Sequence, residues 1–489
     1  MAHVRVVAAE NTISRTRNGT RQILNFWLQL DQQAYHKRVD VCWSGEEGQW
    51  HWLPARFQYQ QADGREYWKA SLVVSGRSGS RLPGPVRFAV RLSLNELDYW
   101  DNNNGLDHQL PTGIGVRLFG KVPLHHLLLV QELSEGQHYL PIQLAIDVSL
   151  QATQVEIHWT SDNWRHRTQI RCHRRRSPLK ANSQIWSTRL DVSKAFAIEY
   201  CVCIHGRAGV LWDNNGGQNF RLARRPLSLM ILNLHCYQEA EQSRKFRQIA
   251  KAIDDHAVDV VCFQEVAENW NDGHGDWASN SANLINQQLK NPMHLHWDWS
   301  HLGFDRYREG VAILSRHPLH HGQARYVSDS HDAYSIHSRK VVMAQIDLAY
   351  FGKLNVFSAH LSWWEDGFSQ QFRRLSEWAA SVQGEATTLL CGDFNIAAGS
   401  IGYQQVVSDG QYEDQYLAVN HQGLFEQIFR VNDAHWRDLL SDDYRIDYVF
   451  MNKQASLRAR TAKVLFTDQD YGTVSDHCGY LLTFEPLLY

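Results

Sequence analysis

Residues 387–395 read Thr-Thr-Leu-Leu-Cys-Gly-Asp-Phe-Asn, an apolar run that ends in a carboxylate and an amide. A short apolar segment bounded by glycine predicts a buried strand over Thr387–Cys391. The same arrangement recurs along the chain: Asn233 closes LMILN, Glu265 follows VVCFQ, His360 follows VFSA, and Asp476-His477 lie in the last loop. Polar side chains placed just after strands can be gathered by loops at one sheet edge into a single pocket. Further strands are predicted at Leu227–Leu234, Val258–Phe263, Gly310–Leu314, Val341–Leu348, Leu354–Ala359 and Ile446–Phe450. Helices are predicted over Glu241–His256, where Phe246, Ile249 and Ile253 share one face, and over about Ser369–Val382. Mixed sheets with helices outside follow, an α/β architecture.

Upstream of Arg224-Arg225-Pro226 the pattern is different. Tyr99-Trp100-Asp101-Asn102-Asn103-Asn104-Gly105 is echoed 112 residues later by Leu211-Trp212-Asp213-Asn214-Asn215-Gly216-Gly217. Each copy follows alternating β-branched and aromatic segments, VDVCW and VRFAVRL before the first, VEIHW and FAIEYCV before the second. Two tandem all-β sandwich modules are expected, with Asp, Asn and Gly supplying turn chemistry. The predicted division is residues 1–115 and 116–225 as β-sandwich modules and residues 226–489 as the catalytic domain.

A chain of 489 residues exceeds what one core usually organises. Its 43% hydrophobic and 21% charged composition, with Trp 18, Tyr 19 and Phe 19, excludes a disordered chain. The first residues hold no apolar core of signal-peptide length and no stretch has the length of a membrane span, so a cytoplasmic protein is expected. The eight cysteines form no CxxC pair, which indicates reduced buried thiols and neither a zinc site nor a disulfide framework. Residues 1–225 carry 28 Lys and Arg against 19 Asp and Glu, while residues 226–489 carry 21 against 33. An acidic catalytic half is a poor footprint for a polyphosphate backbone and weighs against a general nuclease.

The carboxylate and amide oxygens of the strand-end set are hard ligands that suit Mg²⁺, with Mn²⁺ as the alternative. Each residue also has a plainer reading. Asn233 can simply end a strand, Asp447 can pair with Arg445 at a strand edge, and His360 can be a core histidine. Arg339, Arg306 and Arg308 can clamp a phosphate bidentately or be solvated surface arginines, and they are left outside the catalytic set.

The segments ILNLH, FQE, GVAILSRHPL, SAHLS, GDFN, RIDYVF and SDHCGY stand in the order of the endonuclease/exonuclease/phosphatase superfamily, which the region Leu227–Tyr489 resembles. The resemblance implies a DNase I-like four-layer α/β sandwich. Its metal would be held mainly by Glu265, with Asn233, Asp393, Asn395 and Asp476 close to the metal or its water. In that scheme His477 takes a proton from the attacking water, Asp447 fixes the imidazole's tautomer, and His360 stabilises charge on the phosphoryl oxygens. Asp393 and Asn395 position the nucleophile and bind an equatorial oxygen.

More narrowly, HLSWWED and GDFN…GY…YEDQY resemble bacterial maltose 6'-phosphate phosphatases. The WDNNNG and WDNNGG segments, with Trp43, Trp159 and Trp164 upstream, resemble starch- and glycogen-binding modules. The implied function is a Mg²⁺-dependent phosphatase acting on maltose 6'-phosphate or a related α-glucan phosphate. Trp363 and Trp364 would stack on the sugar beside the pocket, with Tyr403 nearby, and Trp100, Asn102, Trp212 and Asn214 would bind α-glucan. Trp363 and Trp364 can equally serve packing, and WDNNG can be a structural turn of a β-sandwich that has lost its ligand. The second copy departs from the first, with Leu211 in place of an aromatic and Gly216 in place of an asparagine. The competing functions are a metal-dependent nuclease or phosphodiesterase, with the basic front as a nucleic-acid grip, and a glucan-targeting binding protein; the basic run Arg165–Arg176 can attract a phosphorylated glucan or nucleic acid, and reads first as a solvated Arg-rich edge strand.

Overall fold

A computed structural model of the chain describes residues 3–487 except 17–18, 32–35, 77–81, 96, 177–180, 272 and 421–444. Its contacts cluster into two compact units, Met1–Arg225 and Pro226–Leu487.

The first unit is all β. One sheet runs Gly115–Leu118, Val4–Thr16, Gly19–Leu30, Glu66–Gly76 and Arg56–Gln60, and it faces a second built on Arg38–Ser44 and Val86–Leu94. Alternate side chains point inward, so Leu24, Phe26 and Leu28 of one sheet meet Val41, Phe88 and Val90 of the other. A second sandwich repeats the plan around Leu144, Ile157, Leu190 and Val202. The strand Gly115–Leu118 pairs with Ala8–Asn11. Within this unit Ser183 Oγ donates to the Val116 carbonyl at 2.6 Å, and the Trp27 indole donates to the Leu127 carbonyl at 3.3 Å.

The second unit contains twelve strands that matter here: β1 (Leu227–Asn233), β2 (Val260–Asn271), β3 (His294–Gly303), β4 (Tyr307–Ser315), β5 (His320–Tyr326), β6 (Lys340–Leu348), β7 (Gly352–His360), β8 (Thr387–Asp393), β9 (Tyr412–Asp414), β10 (Asp447–Asn452), β11 (Leu457–Leu465) and β12 (Gly479–Pro486). They form two mixed sheets, ordered β3-β4-β2-β1-β12-β11 and β5-β6-β7-β8-β10-β9. The pairs β1/β2 and β7/β8 are parallel. Each parallel pair is joined by a crossover that contains a helix, α1 (Gln242–Asp255) and α2 (Phe368–Gln383) respectively.

Burial on both faces explains why these strands read as continuous apolar runs. In β1, Leu229 and Ile231 face the opposite sheet and pack with Val356, Leu389 and Cys391. Met230 and Leu232 face outward and are covered by Phe246, Ile249 and Ile253 of α1. On the far side, Phe357, Leu390 and Phe450 are covered by Phe368, Phe372 and Leu375 of α2. The unit is a four-layer α/β sandwich, with its two sheets in the middle. Both helices and the central strands lie within a few residues of the predicted spans. The strands absent from the prediction, β3, β5, β9, β11 and β12, are very short, carry mixed polar and half-buried residues, or close the sheet from the chain's end. No described helix is long and apolar enough to cross a membrane.

A buried ion pair links the end of β9 to the segment that enters β10. Arg445, 1% exposed, donates to both carboxylate oxygens of Asp414, 2% exposed, and its guanidinium stacks 4.6 Å from the Tyr448 ring. Tyr403 adds a hydroxyl hydrogen bond to Asp414 at 3.1 Å. Removing one partner of such a pair leaves an uncompensated buried charge. Asp414→Ala is therefore expected to lose about 3–5 kcal/mol in urea unfolding, and a loss below about 1 kcal/mol, the range of surface pairs, would contradict this reading of the contact.

Candidate active site

Register brings the strand-end residues together. His360 lies opposite Asp393 in the parallel pair β7/β8, and Asp393 lies opposite Asp447 in the antiparallel pair β8/β10. Three adjacent strands thus present His360, Asp393 and Asp447 side by side. From the other sheet, Asn233 ends β1 and Glu265 sits in an irregularity of β2 between Phe263 and Val266. Glu265 has φ +48, a left-handed conformation that a regular strand would not allow and that turns its carboxylate out of the ladder. Asn395 has φ +49 beyond the end of β8. Gly392, φ +129, has no room for a side chain: a Cβ would lie 2.2 Å from the Ala359 carbonyl and 2.8 Å from the Gln264 amide.

Hydrogen bonds fix the arrangement. The Asn233 amide NH₂ lies 2.8 Å from Glu265 Oε1, 3.1 Å from Asp393 Oδ2 and 3.4 Å from His477 Nε2. Its oxygen accepts the backbone N–H of His235 at 3.1 Å, and since that group can only donate, the amide orientation is determined. Asn233, expected as a metal ligand, here turns its donor toward the carboxylates and orients them. The Asn395 N–H donates to Asp393 Oδ1 at 2.9 Å, and its side-chain amide donates to the Leu361 carbonyl at 2.9 Å. Asp447 does not pair with Arg445; its Oδ2 accepts from His477 Nδ1 at 2.8 Å. That bond leaves Nε2 of His477 facing the pocket, 3.8 Å from Asp393 Oδ2.

His360 is oriented by Arg339. A guanidinium nitrogen 3.4 Å from Nδ1 can only donate, so Nδ1 accepts and Nε2 carries the proton. That Nε2 lies 3.9 Å from Glu265 Oε1 and 3.7 Å from Asp393 Oδ2. Burial, reinforced by Arg339, His301 and His477, holds the His360 imidazole well below the usual range and hence neutral.

The carboxylates respond in the opposite sense. Burial, then Glu309 and Asp476, push the Glu265 carboxyl up to about 7. Burial, then Asp447, push Asp393 up to about 7. For His477 burial disfavours charge, but Asp447, Asp393 and Asp476 outweigh it and hold its pKa well above the usual value. These shifts describe a buried pocket in which desolvation, reinforced by neighbouring carboxylates, disfavours the charged form of Glu265 and Asp393. The carboxylate oxygens of Glu265 and Asp393, which lie 3.9 and 3.7 Å from His360 Nε2, fit a hard divalent cation. Such a cation would offset the charge that keeps those groups protonated.

Asp476 stands with a different set, 3.6 Å from His235 Nδ1, which also meets Glu239 at 2.8 Å. His235, Glu239, His301 and Glu309 are not among the residues expected from sequence, and Arg339, weighed there as a phosphate clamp but left outside the catalytic set, lines the site. His301 and Glu309 face one another across β3 and β4 at 3.4 Å, a pairing hidden because β3 was not predicted.

The site opens into a cleft of about 610 Å³, walled also by Phe304, Tyr334, Ile336 and Trp363. Trp363 lines this cleft; Trp364 does not, its ring lying 6.2 Å from Phe368. Tyr403 is buried among Tyr448 and Phe450 and likewise lies outside the cleft lining. Arg306 and Arg308 are also outside it, Arg308 resting on Trp270 and Trp299.

In the first unit Trp100 and Trp212 are 44% and 48% exposed. The Asn102 and Asn214 side-chain oxygens each accept a glycine N–H in their own turn, from Gly105 and Gly217, at 3.0 Å. Those oxygens therefore serve the turn.

Among solved structures, an endonuclease/exonuclease/phosphatase family protein from Leptotrichia buccalis is 25% identical, over 53% of this chain and 99% of that one, with a TM-score of 0.46. The human Nocturnin catalytic domain with bound sulfate is 18% identical over 53% and 94%, with a TM-score of 0.41. The Bacteroides thetaiotaomicron mannosyl-6-phosphatase Bt3783 is 15% identical over 53% and 99%, with a TM-score of 0.39. None of these likenesses bears on substrate. No curated protein matches the sequence. Residues 230–477, about half the chain and the span that holds every strand-end residue from Asn233 to His477, match the model of the Endonuclease/Exonuclease/phosphatase family, and the chain belongs to that family.

Proposed function

We propose that the second unit is a Mg²⁺-dependent phosphatase that hydrolyses the phosphate monoester of a sugar, maltose 6'-phosphate or a related α-glucan phosphate. Family membership places the chain among phosphoesterases and leaves the substrate open. The observation that carries the finer reading is the lining of the cleft. Arg339 is the one Lys or Arg among its described lining residues, against Glu265, Asp305, Glu309, Asp366, Asp393 and Asp476. Such a wall repels a polyanion, whose binding depends on many basic contacts, whereas one guanidinium suits one phosphate. Trp363 and Tyr334 offer flat faces of the kind a pyranose packs against. The exposed Trp100 and Trp212 support a role for the first unit in holding α-glucan, with residues 1–115 and 116–225 as its modules.

In this mechanism Asp447 holds His477 with Nε2 toward the pocket; a cation bound by the carboxylates would offset the negative charge that holds the imidazole's proton, so that Nε2 can accept a proton from the attacking water. Asn233 and the Asn395 N–H fix the Asp393 carboxylate that positions that water. His360, neutral and protonated at Nε2, donates to a phosphoryl oxygen, and Arg339 keeps it in that tautomer. Glu265 and Asp393 would hold the cation, with Asp476 close by; when bound it offsets negative charge developing on the phosphoryl group.

Phosphate release from maltose 6'-phosphate is expected to require Mg²⁺ and to fall by about 10²–10⁴ in His477→Ala; Asp447→Asn should follow it in direction, and Glu265→Gln should abolish the response to Mg²⁺. Trp363→Ala should raise KM more than it lowers kcat. Cleavage of DNA by folded protein that leaves sugar phosphates intact would sink the proposal.

A pH dependence follows from the raised carboxyls. Glu265 and Asp393 titrate near 7 in the folded protein and near 4 when unfolded. The stability they contribute is fully present below about pH 4 and is lost as pH rises through about 7. In EDTA the melting temperature is expected to fall from pH 5 to pH 8, and Mg²⁺ should raise it more at pH 8 than at pH 5. A Mg²⁺ effect independent of pH would count against cation binding by these carboxylates.

A further inference from the structure

The outer face of one sheet in the second sandwich carries a cluster that phosphoester chemistry does not use. Glu156 and His158 alternate on the strand Gln154–Thr160, and Cys203 and His205 alternate on its antiparallel neighbour Ala197–Gly206. Glu156 is paired with Cys203, and Gln154 with His205, so the four side chains share one face.

The distances within the cluster are short. Cys203 Sγ lies 3.5 Å from His205 Nε2, His205 Nε2 lies 3.5 Å from Glu156 Oε2, and His158 Nε2 lies 3.8 Å from Glu156 Oε2. Glu156 Oε1 is occupied by the Gln154 amide at 2.7 Å and approached by Arg171 at 3.6 Å, which leaves Oε2 turned toward both imidazoles. His158 is 6% exposed, yet neither ring nitrogen has a hydrogen-bond partner among the described residues. The separation of 3.8 Å from Glu156 is too long for a hydrogen bond. A buried imidazole with both nitrogens unmatched costs free energy and requires a reason.

We infer that Cys203, His158, His205 and Glu156 form a binding site for a thiophilic divalent metal of the Zn²⁺ class. Zinc bonds of about 2.3 Å to sulfur and about 2.0–2.1 Å to nitrogen or oxygen put the corners of a tetrahedron about 3.3–3.6 Å apart; the Cys203–His205 and His205–Glu156 separations of 3.5 Å match such an edge, and His158 stands 3.8 Å from Glu156. The ligand atoms of Glu156, His158 and Cys203 all lie within 4.8 Å of one another. A thiolate with two imidazoles selects a softer ion than the carboxylate pocket of the second unit does. Binding releases the Cys203 thiol proton to solvent and gives His158 the partner it lacks. The Trp212 ring packs edge-to-face with His158, centroids 4.9 Å apart.

The test uses the full chain, saturated with Mg²⁺ and titrated with Co²⁺. One equivalent is expected to produce a thiolate-to-cobalt charge-transfer band in the near ultraviolet, displaced by stoichiometric Zn²⁺. The band should vanish in Cys203→Ser and persist in Cys236→Ser, because Cys236 lines the other cleft. His205→Gln, at the half-exposed rim, should keep the band with Co²⁺ affinity lowered at least tenfold. No charge-transfer band in the unaltered protein, a band that survives Cys203→Ser, loss of the band in Cys236→Ser, or unchanged affinity in His205→Gln would each overturn the inference.

Discussion

The apolar seam between the two sheets of the second unit is the contact on which its site depends. Leu229 and Ile231 of β1, with Val260 and Cys262 of β2, pack on Val356, Leu389, Cys391 and Val449 of the facing sheet. Such a seam is close-packed and has little freedom to slide. It therefore sets how far Asn233 and Glu265, carried by one sheet, stand from His360, Asp393 and Asp447, carried by the other. The 3.1 Å contact between Asn233 and Asp393 crosses this seam and exists only because the two strand ends finish at the same level.

The seam also explains how like charges are kept together. Asp393 and Asp447 are held opposite one another by backbone ladder bonds, and Glu265 is turned toward them by a left-handed backbone in β2. Each carboxylate would repel the others in a flexible chain; here the cost is met by the packed sheets. The donors that face them, the Asn233 amide and the Asn395 N–H, are fixed in turn by the His235 N–H and the Leu361 carbonyl. Burial first, and this enforced proximity second, raise the Glu265 and Asp393 carboxyls and lower the His360 imidazole beside Arg339.

The first unit uses the same sheet geometry for a different result. Alternation along paired strands fills two sandwich cores from one face, and on the opposite face it gathers Glu156, His158, Cys203 and His205. Exposed Trp100 and Trp212 stand on strands next to turns that Asn102 and Asn214 close with their own side chains. The repeated motif thus has a structural role in its asparagines whatever its tryptophans bind.

Much of this was legible in the chain itself. Continuous apolar runs ending in Asn233, His360 and Asp393 marked buried strands with polar ends, and the stripe Phe246, Ile249, Ile253 marked a helix, because burial on both faces or along one stripe leaves its period in the residues. The strand β3 was not legible: HLHWDWSHLG is half-buried and mixed in polarity, so local pattern does not distinguish it, and with it His301 and Glu309 were missed. Sequence alone likewise determined which residue types could supply the chemistry, and did not determine their orientation. That Asn233 offers nitrogen to the carboxylates, that Asp447 serves His477 while Arg445 serves Asp414, and that Trp363 but not Trp364 lines the cleft are decided by contacts between residues far apart in the chain. Orientation and protonation depend on distance, burial and the neighbour's donor or acceptor character, and only the tertiary structure sets those.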